Sequence, residues 1–71
     1  MAREHIGRAH SLLQGLADTS RALDAARAGF NETADGDLLE YYLYEISALR
    51  AKHTYLLRQV KSLQGEDNPC I

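Results

Sequence analysis

Apolar side chains recur in alternating steps of three and four along the second half of the chain, from Asp37 to Leu63. Because an α-helix has ~3.6 residues per turn, this spacing predicts one stripe on a single helix of roughly seven turns. We call this stripe the seam, and we expect Leu43 and Leu57 to widen it. Its members, of which only His53 departs from apolar character, are Leu39, Tyr42, Ile46, Leu49, His53, Leu56, Val60 and Leu63.

A second stripe runs elsewhere on the same predicted helix, and we call it the tyrosine stripe. Its members are Tyr41, Tyr44, Ala48, Ala51 and Tyr55. A helix that is apolar on two sides needs more than one packing partner. We expect the seam to hold the chain together and the tyrosine stripe to be the contact surface for a second copy or another protein, although the pattern also permits the reverse.

The first half of the chain predicts a helix over about residues 3–30, with a thinner stripe. Gly7, Gly15 and Gly29 lie within it, and each costs up to about 1 kcal/mol relative to alanine in a helix interior. Asp18-Thr19-Ser20 is a further weak point, because these side chains compete for backbone hydrogen bonds. A continuous helix is favoured over one that begins near Thr19. The stripe consists of Ile6, Ala9, Leu13, Leu16, Leu23, Ala26 and Phe30, flanked by Leu12 and Ala22.

A polar connection with strong turn chemistry, residues 31–36, separates the two predicted helices. Asp37 and Glu40 have the spacing of a capping box, so we expect the second helix to span 37–64 with Asp37 as its cap. Gly65 is placed to end that helix, and residues 65–71 are predicted to be a disordered tail.

The predicted fold is all-α: an antiparallel two-helix hairpin over residues 1–64, because a short connection leaves two long helices as neighbours. Small residues on the first helix, such as Gly15 and Gly29, complement the tyrosines and leucines of the second. In a single hairpin, one side of each apolar stripe would remain exposed to solvent, so we expect a dimer to complete a four-helix bundle. A larger helical complex with another protein is the alternative.

Charge and composition narrow the classes of function. A formal net charge of −2 and a pI near 5.8 argue against a dedicated nucleic-acid binder or a binder of anionic membranes. The sequence has no apolar run of eighteen residues and no continuous apolar h-region near its start, so we expect a cytoplasmic protein. Cys70 is the only cysteine, which excludes an intrachain disulfide and suggests an inert tail residue.

Candidate chemistry is sparse. His5, His10 and His53 lack the spacing of a zinc site, so no metal and no cofactor are expected. His53 is a different case, because a polar residue in an apolar seam can fix register or oligomeric state. Its protonation on acidification would then loosen the bundle, whereas a partly exposed histidine at the edge of the seam would have little effect.

The sequence predicts a non-catalytic, self-associating adaptor or interaction module. It contains no Gly-rich phosphate loop, nucleophile motif or catalytic carboxylate pair, so we expect that the chain is not an enzyme. The alternative is a nucleic-acid-associated protein. In that case the four tyrosines of the second helix would stack on bases and Arg50, Arg58 and Lys61 would contact phosphates.

Residues Leu23–Lys61 resemble the YaaL-like family of small bacterial proteins of unknown function. The resemblance rests on an Ala-rich helix, a polar turn and runs of the type Asp-Leu-Leu and Tyr-Leu-Leu-Arg. His53 stands where an aromatic residue is common, and Gly36 stands where proline is frequent. The resemblance implies a bacterial cytosolic protein with no established activity, and no site residues come with it. The matching positions are Asp37, Leu38, Leu39, Leu43, Tyr44, Glu45, Ala48, Lys52, Tyr55, Leu56, Leu57 and Arg58.

Overall fold

Two α-helices make up the described part of the protein. The structure, a computed structural model, describes the backbone of residues 2–63 and the side chains of residues 7–63. Helix α1 spans Ala2–Glu32 and helix α2 spans Gly36–Leu63, and residues 2–63 contain no strand. The predicted tail, residues 65–71 with Cys70, lies outside the described residues.

The helices pack side by side and run in opposite directions. Arg8 near the start of α1 donates from Nη2 to Oε1 of Gln59 near the end of α2, at 3.4 Å. At the other end of the pair, Gly29 lies against the ring of Tyr42. Residues near the start of α1 therefore contact residues near the end of α2, and residues near the end of α1 contact residues near the start of α2. The predicted antiparallel hairpin is confirmed.

The seam of α2 faces α1 along its whole length. Every member is buried or half-buried, and Val60 is the most buried at 8% exposure. Leu43 and Leu57 do not widen it, because they are 54% and 39% exposed. Each lies about 40° further around the helix than the seam residue four positions before it, beyond the strip that a single partner helix covers.

The buried residues of α1 are Thr19, Leu23 and Ala26. Thr19 is 3% exposed, and its Oγ1 donates a hydrogen bond to the backbone oxygen of Gly15 at 2.7 Å. The hydroxyl is thus satisfied inside the helix, so the predicted weak point is compatible with the continuous helix observed. Leu13, predicted in the stripe, is 54% exposed, and the neighbouring Leu12 is half-buried on the inner side instead.

The turn is shorter than the predicted 31–36, since only residues 33–35 lie between the helices. Asp35 caps α2: its Oδ1 accepts the backbone N–H of Leu38 at 3.0 Å, and its backbone oxygen accepts that of Leu39 at 2.9 Å. The expected cap at Asp37 is therefore wrong, and Asp37 lies within the first turn of α2. An acidic residue there still complements the helix dipole.

Glycines in α1 allow the two helices to approach closely. A Cβ built on Gly29 would lie 2.6 Å from Cε1 and 2.7 Å from Oη of Tyr42. One built on Gly15 would lie 3.3 Å from Cδ1 of Leu56. The expected complementarity of small residues on α1 and large ones on α2 is present at both contacts. Close packing of the seam leaves the opposite side of α2 facing away from α1.

Candidate interaction surface

The outer face of α2, which points away from α1, carries no charged residue between Tyr41 and Tyr55. If the seam residues are assigned to positions a and d of a heptad, positions b, c and f face away from α1. Between Tyr41 and Tyr55 these positions hold seven exposed residues, and all are tyrosine, alanine, serine or threonine. We call these seven the outer face. Its members are Tyr41, Tyr44, Ser47, Ala48, Ala51, Thr54 and Tyr55.

Large rings dominate this surface. Tyr41, Tyr44 and Tyr55 are 52%, 68% and 55% exposed. All five members of the tyrosine stripe belong to the outer face, and the structure leaves all five exposed. Ser47 and Thr54 complete the face and were missed in the sequence pattern, which follows apolar positions only. The absence of charge on one side of the helix is the signal that identifies them.

The corresponding surface of α1 is different. Between His10 and Glu32 its exposed outer side carries Asp18, Arg21, Asp24 and Glu32, and Arg21 forms an ion pair with Asp18. Helices that face water normally carry charge on that side, as α1 does. The outer face of α2 therefore differs in composition from the charged, water-facing side of α1.

Two polar contacts hold tyrosines of the outer face. Tyr44 donates from its hydroxyl to Oε2 of Glu40 at 3.3 Å. The charge of Glu45, together with a hydrogen bond between the two side chains, raises the pKa of Tyr41 above its ordinary value. The ring of Tyr41 also meets that of Tyr42 edge-on, with centroids 5.1 Å apart and planes at 61°. Since Tyr42 belongs to the seam, the two apolar stripes are in direct contact.

Charged residues border the outer face on both sides. Glu45 and Lys52 lie on one flank, seven residues apart, and Arg50 lies on the other between Leu43 and Leu57. An uncharged strip between charged edges has the anatomy of a protein–protein interface, in which an apolar centre is surrounded by a polar rim.

His53 is half-buried within the seam. It lines a groove between the helices together with Asp24 and Arg27 of α1 and Arg50 and Thr54 of α2. Two guanidinium groups and one carboxylate are thus the charged groups around its ring. The effect of protonating His53 on association stays a prediction.

The three basic residues of the nucleic-acid alternative are all exposed but do not form one cluster. Arg58 and Lys61 line one groove with Leu57, whereas Arg50 is eight residues earlier, about 12 Å along the helix. None of the three lies between the tyrosines on the outer face. Rings and positive charges are therefore not interleaved as a base-stacking, phosphate-binding surface requires.

Two further findings concern the described residues. Within them, no three histidine, cysteine, aspartate or glutamate side chains come together in a way that could hold a metal ion. Neither α1 nor α2 is long and apolar enough to span a membrane.

The fold and the surface define a class: a two-helix hairpin with one uncharged, aromatic outer face. Residues 6–65 match the family described as protein of unknown function, DUF2508. The chain belongs to that family, and the match extends beyond the segment on which the YaaL-like resemblance rests. Comparisons with curated proteins and with solved structures found no match.

Proposed function

We propose that this chain is a non-catalytic helical module that self-associates through the outer face of α2 and serves as an adaptor or small regulatory subunit. In this proposal its setting is the bacterial cytoplasm, and the family is that of the YaaL-like proteins, which residues Leu23–Lys61 resemble. The observation that carries the proposal is that the outer face of α2 is uncharged between Tyr41 and Tyr55 and exposed, on a helix whose flanks are charged.

The thin core of the hairpin also supports association. Among the described side chains none is fully buried, and only three apolar residues are below one-tenth exposure: Leu23, Ala26 and Val60. Chains of this size bury about 60% of the surface of their unfolded state and are marginally stable alone. Covering the outer face of α2 would add the missing apolar burial, at about 25 cal/mol per Å².

A matched pair of glutamate substitutions tests the surface. Ala48→Glu places a charge at the centre of the outer face, whereas Ala28→Glu makes the same change at an exposed alanine on the outer side of α1. Because an unpaired charge at an interface costs several kcal/mol, we expect Ala48→Glu to abolish self-association in light scattering. Ala28→Glu should keep the mass of the unmodified chain. Equal behaviour of the two variants would refute the outer face as the contact.

The nucleic-acid alternative has weaker support, since its rings and its basic residues occupy different parts of α2. A gel shift with single-stranded RNA and DNA separates the two functions. Binding that weakens steeply with salt and is lost in an Arg58→Gln, Lys61→Gln variant would favour the alternative. We expect no shift.

A further inference from the structure

The tyrosine stripe within the outer face of α2 is nearly symmetric about Ala48. Tyr41 and Tyr55 lie seven residues before and after it, so each is two helical turns from the centre. Tyr44 lies four residues before Ala48 and Ala51 lies three after it. Large and small side chains are therefore placed at nearly equal distances on the two sides of one residue.

A two-fold interface requires such an arrangement, because each contact between residue i and residue j must occur twice. If two copies of α2 cross in antiparallel orientation at Ala48, Tyr44 comes within one residue, about 1.5 Å along the axis, of the level of the partner's Ala51. The large ring then meets a small side chain, which is the complementarity that close helix packing needs. Tyr41 comes level with the partner's Tyr55, and the two rings fall within reach of each other.

The charged flank obeys the same symmetry. Glu45 lies three residues before Ala48 and Lys52 four residues after it, on one edge of the outer face. In an antiparallel pair, equivalent edges face each other, so Glu45 of each copy comes within one residue of the level of the partner's Lys52, on the same edge. Two equivalent ion pairs result, each between Glu45 of one copy and Lys52 of the other. In a parallel pair, opposite edges of the two helices face each other, so Glu45 would lie opposite the partner's Leu43 and Arg50, and its contact with the partner's Lys52 would be lost.

The hairpin itself provides the precedent for this packing. Its two helices are antiparallel, as the contact between Arg8 near the start of α1 and Gln59 near the end of α2 shows. Its close contacts also pair a small residue with a large one, Gly15 with Leu56 and Gly29 with Tyr42. The outer face repeats the same rule with Ala51 and Tyr44.

From these relations we infer that the partner of the outer face is a second copy of this chain, bound antiparallel on a two-fold axis at Ala48. This inference rests on the proposed self-association and gives it an orientation and a register. The resulting assembly is a four-helix arrangement in which the two α2 helices are central and the two α1 helices are peripheral.

A charge-swap mixture tests the flank. In Glu45→Lys both flank residues are positive, and in Lys52→Glu both are negative, so each variant alone repels its own copy. We expect each to self-associate about tenfold more weakly than the unmodified chain, measured by sedimentation. An equimolar mixture should form a heterodimer of unmodified affinity, and so should the double swap in a single chain.

Cysteine cross-linking tests the register, in a background with Cys70→Ser. Ala48→Cys places two thiols at the axis, so we expect a disulfide-linked dimer under mild oxidation. Ser62→Cys is the control, because it lies on the same line of the helix fourteen residues further on. In the antiparallel dimer its two thiols are separated by about 42 Å and cannot join, whereas a parallel dimer would cross-link both variants.

The outcomes are distinguishable. If the unmodified chain is a monomer at all concentrations, the proposed self-association itself is wrong. If it is a dimer but the mixture shows no recovery, or Ser62→Cys links as readily as Ala48→Cys, self-association stands and the antiparallel register is overturned. Recovery in the mixture together with linkage at residue 48 alone supports both.

Discussion

At the scale of single residues, the contact between Gly29 and Tyr42 determines how closely the helices approach. The tyrosine ring occupies the space that any larger residue at position 29 would need. A helix interior ordinarily favours alanine over glycine by up to about 1 kcal/mol. The steric cost and the helix propensity therefore act in opposite directions at this position.

We expect Gly29→Ala to lower the free energy of unfolding by about 1 kcal/mol or more, because overpacking costs ~1–3 kcal/mol and outweighs the gain in propensity. Gly7→Ala is the matched control, since a Cβ there meets no atom within 4 Å. It should raise stability by up to about 1 kcal/mol. Urea unfolding of both variants measures the difference, and equal stabilisation would contradict the close approach at Gly29.

The titration of Tyr41 reports on its contact with Glu45. Because the carboxylate raises the pKa of the phenol, Glu45→Gln should lower that pKa toward its ordinary value of 10.0. The raised pKa means that Tyr41 contributes stability below its ordinary pKa, and this contribution is lost as the pH rises through the higher value. Alkaline absorbance titration, with Tyr41→Phe to identify its step, measures the change. An unaltered Tyr41 step in Glu45→Gln would refute the contact.

At the scale of helices, the α2 pattern predicted its inner side well and the α1 pattern did so less completely. All eight seam residues of α2 face α1, because large apolar side chains in steps of three and four lie on one side of a helix, and that side is the one to be buried. On α1 the buried stripe includes Thr19, which an apolar pattern does not register, whereas the half-buried Gly15 and Gly29 were expected there from the complementarity of small and large residues. Leu13 was misplaced for the same reason, since only apolar neighbours defined the stripe.

The start of α2 shows a second limit of sequence reasoning. Asp35 and Asp37 are both acceptable caps by residue type, and the choice depends on which backbone N–H each carboxylate reaches. The hydrogen bond from Leu38 to Asp35 decides it. The candidate surface was predictable as a tyrosine stripe, but its orientation away from α1 and its inclusion of Ser47 and Thr54 required the packed structure.

We expect Asp35→Ala to destabilise the hairpin by ~1 kcal/mol, because the backbone N–H of Leu38 in the first turn of α2 then loses its side-chain acceptor. Asp37→Ala should cost less, about a few tenths of a kcal/mol, through the helix dipole alone. Thermal unfolding followed by circular dichroism compares the two, with Asp35→Asn as the capping-competent control. A larger loss in Asp37→Ala than in Asp35→Ala would restore Asp37 as the cap.

At the scale of the whole molecule, folding and association should be coupled. Since none of the described side chains is fully buried, the hairpin alone should have a small free energy of unfolding. Binding of a second copy to the native state increases that free energy. We therefore expect the melting temperature to rise with protein concentration over about a hundredfold range. In Ala48→Glu it should be lower and independent of concentration. A melting temperature that is constant in the unmodified chain would mean that the hairpin is stable alone.

Sedimentation equilibrium of the unmodified chain tests the central claim most directly, because it measures mass without assuming shape. The principal dimensions of a single hairpin, 50 × 29 × 13 Å, are those of an elongated particle, for which size estimates from elution volume mislead. The account predicts a reversible equilibrium between the 7.9 kDa chain and a species of twice that mass, with the dimer prevailing as concentration rises. A single species at 7.9 kDa across the whole concentration range would contradict it.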